Sequence, residues 1–141
     1  MKIEKHINHE GHEEHEGKIK FDSLSREVFG CSIEVHRELG PGLLESAYQR
    51  CLEHEMNARG LAFEMEAQIP VRYKDARLEC GFRADFIVEK ALILELKSVE
   101  KLSTVHQAQL LTYMKLCDCQ TGLLMNFNVK HLRDGIKRFV L

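Results

Sequence analysis

The hydrophobic period of this chain changes from helical to alternating at Gly60, and that change dictates a mixed fold. Upstream, Leu24, Val28, Cys31, Val35 and Leu39 recur at three- and four-residue steps, which only a helix gathers onto one face. Asp22-Ser23 offers an N-cap and Gly40-Pro41-Gly42 ends the pattern. A second helix is predicted over Leu43–Arg59, with Leu44, Tyr48, Cys51 and Leu52 as its stripe and Gly60 as its stop. Downstream the step becomes two. Leu61, Phe63, Met65, Ala67 and Ile69 alternate with Glu64, Glu66 and Gln68, the pattern of a strand with one wet face. Pro70 to Arg77 reads as a short strand piece and a turn, Leu78 to Val88 as a second strand, and Ala91 to Ser98 as a third. Ser103 caps a helix reaching about Leu116. Thr121 to Asn126 reads as a buried strand and Ile136 to Leu141 as an edge. The order α-α-β-β-β-α-β predicts an α/β fold: an antiparallel meander, then a crossover helix and a further strand.

The 141 residues suit a single domain. Net charge is −2, so a polyanionic partner must be met by a local patch. His6, His9, His12 and His15 recur among Glu and Gly near the start. Such a segment has too few apolar residues to pack. We therefore expect a disordered tail over 1–21 and a folded domain over 22–141; the sharper alternative is a metal-binding tract. No window approaches the ~20 apolar residues of a membrane span. Five cysteines in irregular spacing, with no CxxC pair, suggest reduced thiols in a cytoplasm. The lone CxC of Cys117 and Cys119 is a weak metal signal.

The segment Ala84–Glu100, ADFIVEKALILELKSVE, places Asp85, Glu95 and Lys97 inside two apolar runs. Alternation puts Ile93, Glu95 and Lys97 on one face of the third strand and Leu92, Leu94 and Leu96 on the other. A two-residue turn at Glu89-Lys90 pairs Ala84 with Glu95; a one-residue slip or a bulge brings Asp85 there instead. Two adjacent carboxylates repel unless a cation lies between them, and Mg²⁺ favours such oxygens. A neighbouring Lys can stabilise charge developing on a phosphate or orient a water. The trio suits metal-assisted phosphodiester hydrolysis. The alternative is a structural ion pair of Lys97 with Glu95 or Asp85, although buried pairs add little stability over apolar packing. Gln109 and Tyr113, four apart, share a helical face and could reach Lys97 or a phosphate. Glu45 and Tyr48, three apart, share another near a helix start. Glu45 could add a carboxylate to a metal or simply complement the helix dipole.

These residues resemble the GxxExxY family, a branch of the PD-(D/E)XK nuclease superfamily. The naming motif is Gly42, Glu45 and Tyr48, preceded by His36-Arg37-Glu38-Leu39-Gly40-Pro41. The superfamily core is Asp85 with Glu95-Leu96-Lys97, and Gln109 with Tyr113 resembles the QxxxY motif that follows it. Leu123–Phe127 and Gly135–Arg138 look like the C-terminal signature; Asn128 departs from the Gly that commonly follows Asn-Phe. The resemblance spans about 22–141. It implies a restriction-endonuclease-like core, a central mixed sheet flanked by helices. It implies Mg²⁺ or Mn²⁺ held by Asp85, Glu95 and the Leu96 carbonyl, with Glu45 completing the acidic site. Lys97 would orient water or stabilise the phosphate. Gln109 and Tyr113 would support Lys97 or the nucleic-acid backbone, and His36 could approach the site.

The expected function is a divalent-metal-dependent nuclease, acting on DNA in preference to RNA, with no membrane partner and with a homodimer as one way to reach both strands. The rival is a regulatory module that keeps the nuclease fold and binds nucleic acid or protein without meaningful turnover.

Overall fold

Asp22 starts the first helix: its carboxylate accepts the Ser25 N–H at 2.8 Å, and its other oxygen lies 3.6 Å from the buried Arg138 guanidinium. The computed structural model describes residues 21–141 and the backbone of His12–Glu14. Helix α1 spans Ser23–Leu39 and α2 Glu45–Ala58; β1 is His12–Glu14, β2 Phe63–Tyr73, β3 Ala76–Val88, and β4 Leu92–Lys97. Helix α3 (Thr104–Cys117) crosses to β5 (Thr121–Asn126), and a 3-10 turn at Leu132–Gly135 leads into β6 (Ile136–Val140). One sheet in the order β1-β6-β5-β4-β3-β2 holds every strand among the described residues. It is mixed: β4 and β5 are parallel, and the other neighbours are antiparallel. That is the predicted α/β architecture. His6, His9 and His15 lie outside the described residues, whereas the backbone at His12–Glu14 lies beside β6 and takes its outer edge.

Two cores sandwich the sheet. Val28, Val35, Tyr48 and Leu52 of α1 and α2 pack on Phe86, Leu94, Leu96 and Met125. Leu110, Tyr113 and Met114 of α3 pack on Ile69, Ala84, Ile93 and Leu124. Each fully buried large apolar side chain contributes roughly 1.5–3 kcal/mol. The Leu92-Leu94-Leu96 stripe thus faces α1 and α2, and Ile93 faces α3, as alternation requires. The CxC thiols belong to the α3 side, with Cys119 buried.

Several boundaries differ from the sequence reading. Helix α2 begins at Glu45, not Leu43, because Gly42 (φ 102°) and the extended Leu44 keep the chain out of helical geometry. Strand β2 runs through Pro70 to Tyr73. Proline is tolerated there because β2 is an edge strand and the register shifts at that point.

The single wet face expected for Leu61–Ile69 does not persist. Phe63 and Met65 pack toward α1 and α2, yet Ile69 packs toward α3. The partner strand turns over too, with Phe86 and Val88 on the first side and Ala84 on the second. Between the two halves lie Glu66, held left-handed at φ 52°, and Asp85. One residue out of step flips every later side chain to the other face. Here both strands carry the odd residue at the same level, so the pairing Met65↔Phe86 resumes unshifted at Ala67↔Ala84. Asp85 therefore sits at a bend of the sheet.

Candidate active site

The hairpin from β3 to β4 decides which residue meets Glu95. Val88 pairs with Leu92, so the connection is three residues long, Glu89-Lys90-Ala91, rather than the two-residue turn expected. Glu89 and Lys90 are both left-handed, at φ 53° and 56°. Glu89 is pinned from both ends: its N–H donates to the Ala62 carbonyl and its carboxylate accepts the Ala62 N–H, each at 2.8 Å. The pairing runs back through Phe86↔Leu94, and the next level brings Asp85, not Ala84, beside Glu95.

There the two carboxylates take over from the ladder. The Asp85 N–H donates to Glu95 Oε2 at 2.9 Å, and the Leu96 N–H donates to Asp85 Oδ2 at 2.7 Å. Glu95 is only 5% exposed. Burial first, and then the charge of Asp85, push its carboxyl up to about 7. Burial also raises Asp85, against the pull of the Leu96 amide and of Lys97. The Lys97 ammonium favours the charged form of both carboxylates; Glu45 disfavours it in both. Glu45 reaches this group from the first turn of α2, where its Oε2 accepts the Ser98 N–H at 3.2 Å. Asp85, Glu95, Lys97 and Glu45 thus act on one another electrostatically.

On the α3 side the Gln109 amide donates to the Tyr113 hydroxyl at 3.3 Å. Burial, and then the charge of Glu95, hold that phenol above its usual range. Gln109 and Tyr113 therefore border the carboxylates. Tyr48 and His36 do not. The Tyr48 hydroxyl donates to the Gly40 carbonyl (2.6 Å) and accepts the Leu43 N–H (3.1 Å), and its ring stacks on Phe127 at 4.6 Å. It shapes the loop that presents Glu45. His36 is buried, with Nε2 2.8 Å from the Val129 carbonyl.

Three contributors escaped the sequence reading. Glu66 adds a further negative charge that raises Asp85. Nothing in an alternating strand distinguishes it from a wet-face residue. Ser98 donates its hydroxyl to the Leu43 carbonyl at 2.5 Å and its N–H to Glu45, tying the end of β4 to α2. The buried Asn126 accepts the Val99 N–H (3.1 Å) and donates to the Val99 carbonyl (2.9 Å), fixing the chain just past Lys97. A polar residue ending an apolar run was the available signal for both.

Among the described residues, no group of three or more His, Cys, Asp or Glu side chains is arranged to hold a metal ion. The donors that do converge are Asp85 and Glu95. The Leu96 carbonyl lies on the same strand edge as the Leu96 N–H that meets Asp85. Mg²⁺ commonly uses only one or two carboxylates, leaving its other positions to water and substrate phosphate. An all-oxygen set of this size, with both carboxyls raised by burial and by neighbouring negative charge, fits such an ion.

A mixed sheet with helices on both faces, and a carboxylate pair and lysine where two strands part, defines a restriction-endonuclease-like α/β domain. A sequence profile of the PD-(D/E)XK nuclease superfamily matches residues 22–139. The chain belongs to that superfamily, and its domain is nuclease-like. No curated protein and no solved structure matches the chain.

Proposed function

We propose that this chain is a divalent-metal-dependent nuclease that hydrolyses phosphodiester bonds of DNA, with Asp85, Glu95 and Lys97 at its centre and Glu45 beside them. The observation that carries this reading is the pair of hydrogen bonds from the Asp85 N–H to Glu95 and from the Leu96 N–H to Asp85 at the sheet bend, within electrostatic reach of Lys97. Asp85, Glu95 and the Leu96 carbonyl would hold Mg²⁺ or Mn²⁺. When bound, such an ion polarises a phosphoryl oxygen and lowers the pKa of a water. The chain's own parts have separate tasks. Lys97 supplies positive charge against the charge that grows on the phosphate. Leu92, Leu94 and Leu96, packed on the opposite face, hold its strand rigid. Gln109 and Tyr113 orient the substrate backbone.

Digestion of single- and double-stranded DNA with Mg²⁺ or Mn²⁺ tests the proposal. Wild type should cut, and Lys97→Ala should lose about 10²-fold or more. Equal behaviour of the two at every metal concentration would remove catalysis from this site. The binding-module reading draws on the engagement of both carboxylates by backbone amides. It requires Asp85→Ala to keep its ligand, with no cleavage in wild type.

A further inference from the structure

A chain with a net charge of −2 nevertheless concentrates positive groups in one place. A cavity of about 410 Å³ at the C-terminal end of α1 is lined by His36, Arg37, Lys130, His131 and Arg133, and by no Asp or Glu. The carbonyl end of α1 opposes an anion by roughly half a charge. Arg37 is matched by the Glu34 carboxylate. Lys130 and Arg133 remain as two full charges, which outweigh the helix end. Arg133 lies over the Phe29 ring at 5.1 Å, a contact that fixes the guanidinium without neutralising it. The Val129 carbonyl can only accept, so His36 Nε2 carries the proton between them. That bond docks the loop bearing Lys130 and His131 onto α1.

One short loop links the cavity to the carboxylate site. Gly40 lines it, and Leu43, three residues on, accepts the hydroxyl of Ser98, the residue after Lys97. Gly40 to Leu43 spans at most about 10 Å. Tyr48 braces both ends of this segment.

We propose that this basic cavity seats a backbone phosphate of the nucleic-acid strand, on the same strand as the bond that is cut. The proposal rests on the nuclease reading for the direction of the strand, but its test does not need turnover. A labelled oligonucleotide is titrated into full-length protein in EDTA over a series of salt concentrations. The double variant Lys130→Ala/Arg133→Ala should bind about tenfold or more weaker, with a shallower salt dependence, each lost contact reducing the slope by about 0.7 for a single strand. A matched control, Lys74→Ala/Arg77→Ala, removes the same charge at the far tip of the β2–β3 hairpin and should leave affinity near wild type. Should Arg133→Ala disturb packing on Phe29, Lys130→Glu alone, at an exposed position, should weaken binding at least as much as Lys130→Ala.

Unchanged affinity and slope in the double variant overturn the proposal, as does an equal loss in the control. Inorganic phosphate or a mononucleotide binding wild type as tightly as the oligonucleotide would make the cavity a free-phosphate site and also overturn it. A failure of the nuclease reading looks different: wild type does not cut with any metal, while the EDTA titration still separates the two double variants.

Discussion

Asp85 and Glu95 hold each other through backbone amides: the Asp85 N–H meets Glu95 at 2.9 Å and the Leu96 N–H meets Asp85 at 2.7 Å. The chain itself therefore keeps two carboxyl groups side by side. Main-chain geometry, rather than a flexible ion pair, sets their separation. Such an arrangement is poor for stability and suited to a bound cation.

The cost should be measurable as a pH dependence. Glu95 rises from 4.5 to about 7 on folding, chiefly through burial. Between those values the folded protein keeps a proton that the unfolded chain has released. Stability from this group is full below about 4.5, falls as pH rises, and is lost above about 7, a change on the order of 3 kcal/mol. Asp85, also raised, acts in the same direction. Chemical denaturation in chelator at pH 5 and pH 8 should show the fall in wild type and a flatter profile in Glu95→Gln. Parallel profiles would contradict the burial argument. Added Mg²⁺ should restore stability at pH 8.

Glu66 makes a second test, because its backbone and its charge can be separated. Its φ of 52° is unfavourable for any residue with a Cβ, by about 1–2 kcal/mol. The side chain is half exposed, so little packing is lost on removal. Glu66→Gly should be at least as stable as wild type and about 1 kcal/mol more stable than Glu66→Ala, against the usual order for a strand. Thermal melts of the three proteins decide it. Glu66→Gln, which keeps the strain and removes the charge, should lower the carboxyl of Asp85, read by NMR titration.

The element order from α1 onward, the packing stripes of α1 and β4, and the membership of Asp85, Glu95 and Lys97 in one hairpin were legible in the sequence. They follow from side-chain periodicity, which is a local property. The Asp85–Glu95 register was not, because it depends on a three-residue turn whose two left-handed positions are Glu89 and Lys90. Neither is the Asn or Gly that usually marks such a turn. The sheet bend was hidden for the same reason, since Glu66 adopts a left-handed conformation without a glycine. The basic cavity could not be read at all, because it joins α1 to a loop some 90 residues further along the chain.

Gly135 should prove indispensable for steric reasons. A Cβ there would stand 2.3 Å from the Asn126 carbonyl oxygen, a backbone atom that cannot swing aside. Asn126 in turn holds both polar groups of Val99, two residues past Lys97. Gly135→Ala should cost more than about 2 kcal/mol. It should also reduce cleavage in the fraction that still folds. A variant with wild-type melting would show that the β5–β6 connection yields more easily than this contact implies.

Tyr48 should be needed for its hydroxyl more than for its ring. The ring is fully buried against Phe127, and Phe could replace it there with the same volume. The hydroxyl, however, bridges the Gly40 carbonyl and the Leu43 N–H across the turn between α1 and α2. Removing it leaves two part-buried backbone groups without that partner, a loss of roughly 1–3 kcal/mol. The loosened segment is the one whose Leu43 carbonyl accepts from Ser98, and Ser98 also donates to Glu45. Tyr48→Phe should therefore lower both stability and cleavage, the latter less than Lys97→Ala does, because Tyr48 acts through the position of Glu45. Higher Mg²⁺ should recover part of the Tyr48→Phe defect and none of the Lys97→Ala defect. An equal response of the two variants to Mg²⁺ would place the Tyr48 hydroxyl outside the construction of this site.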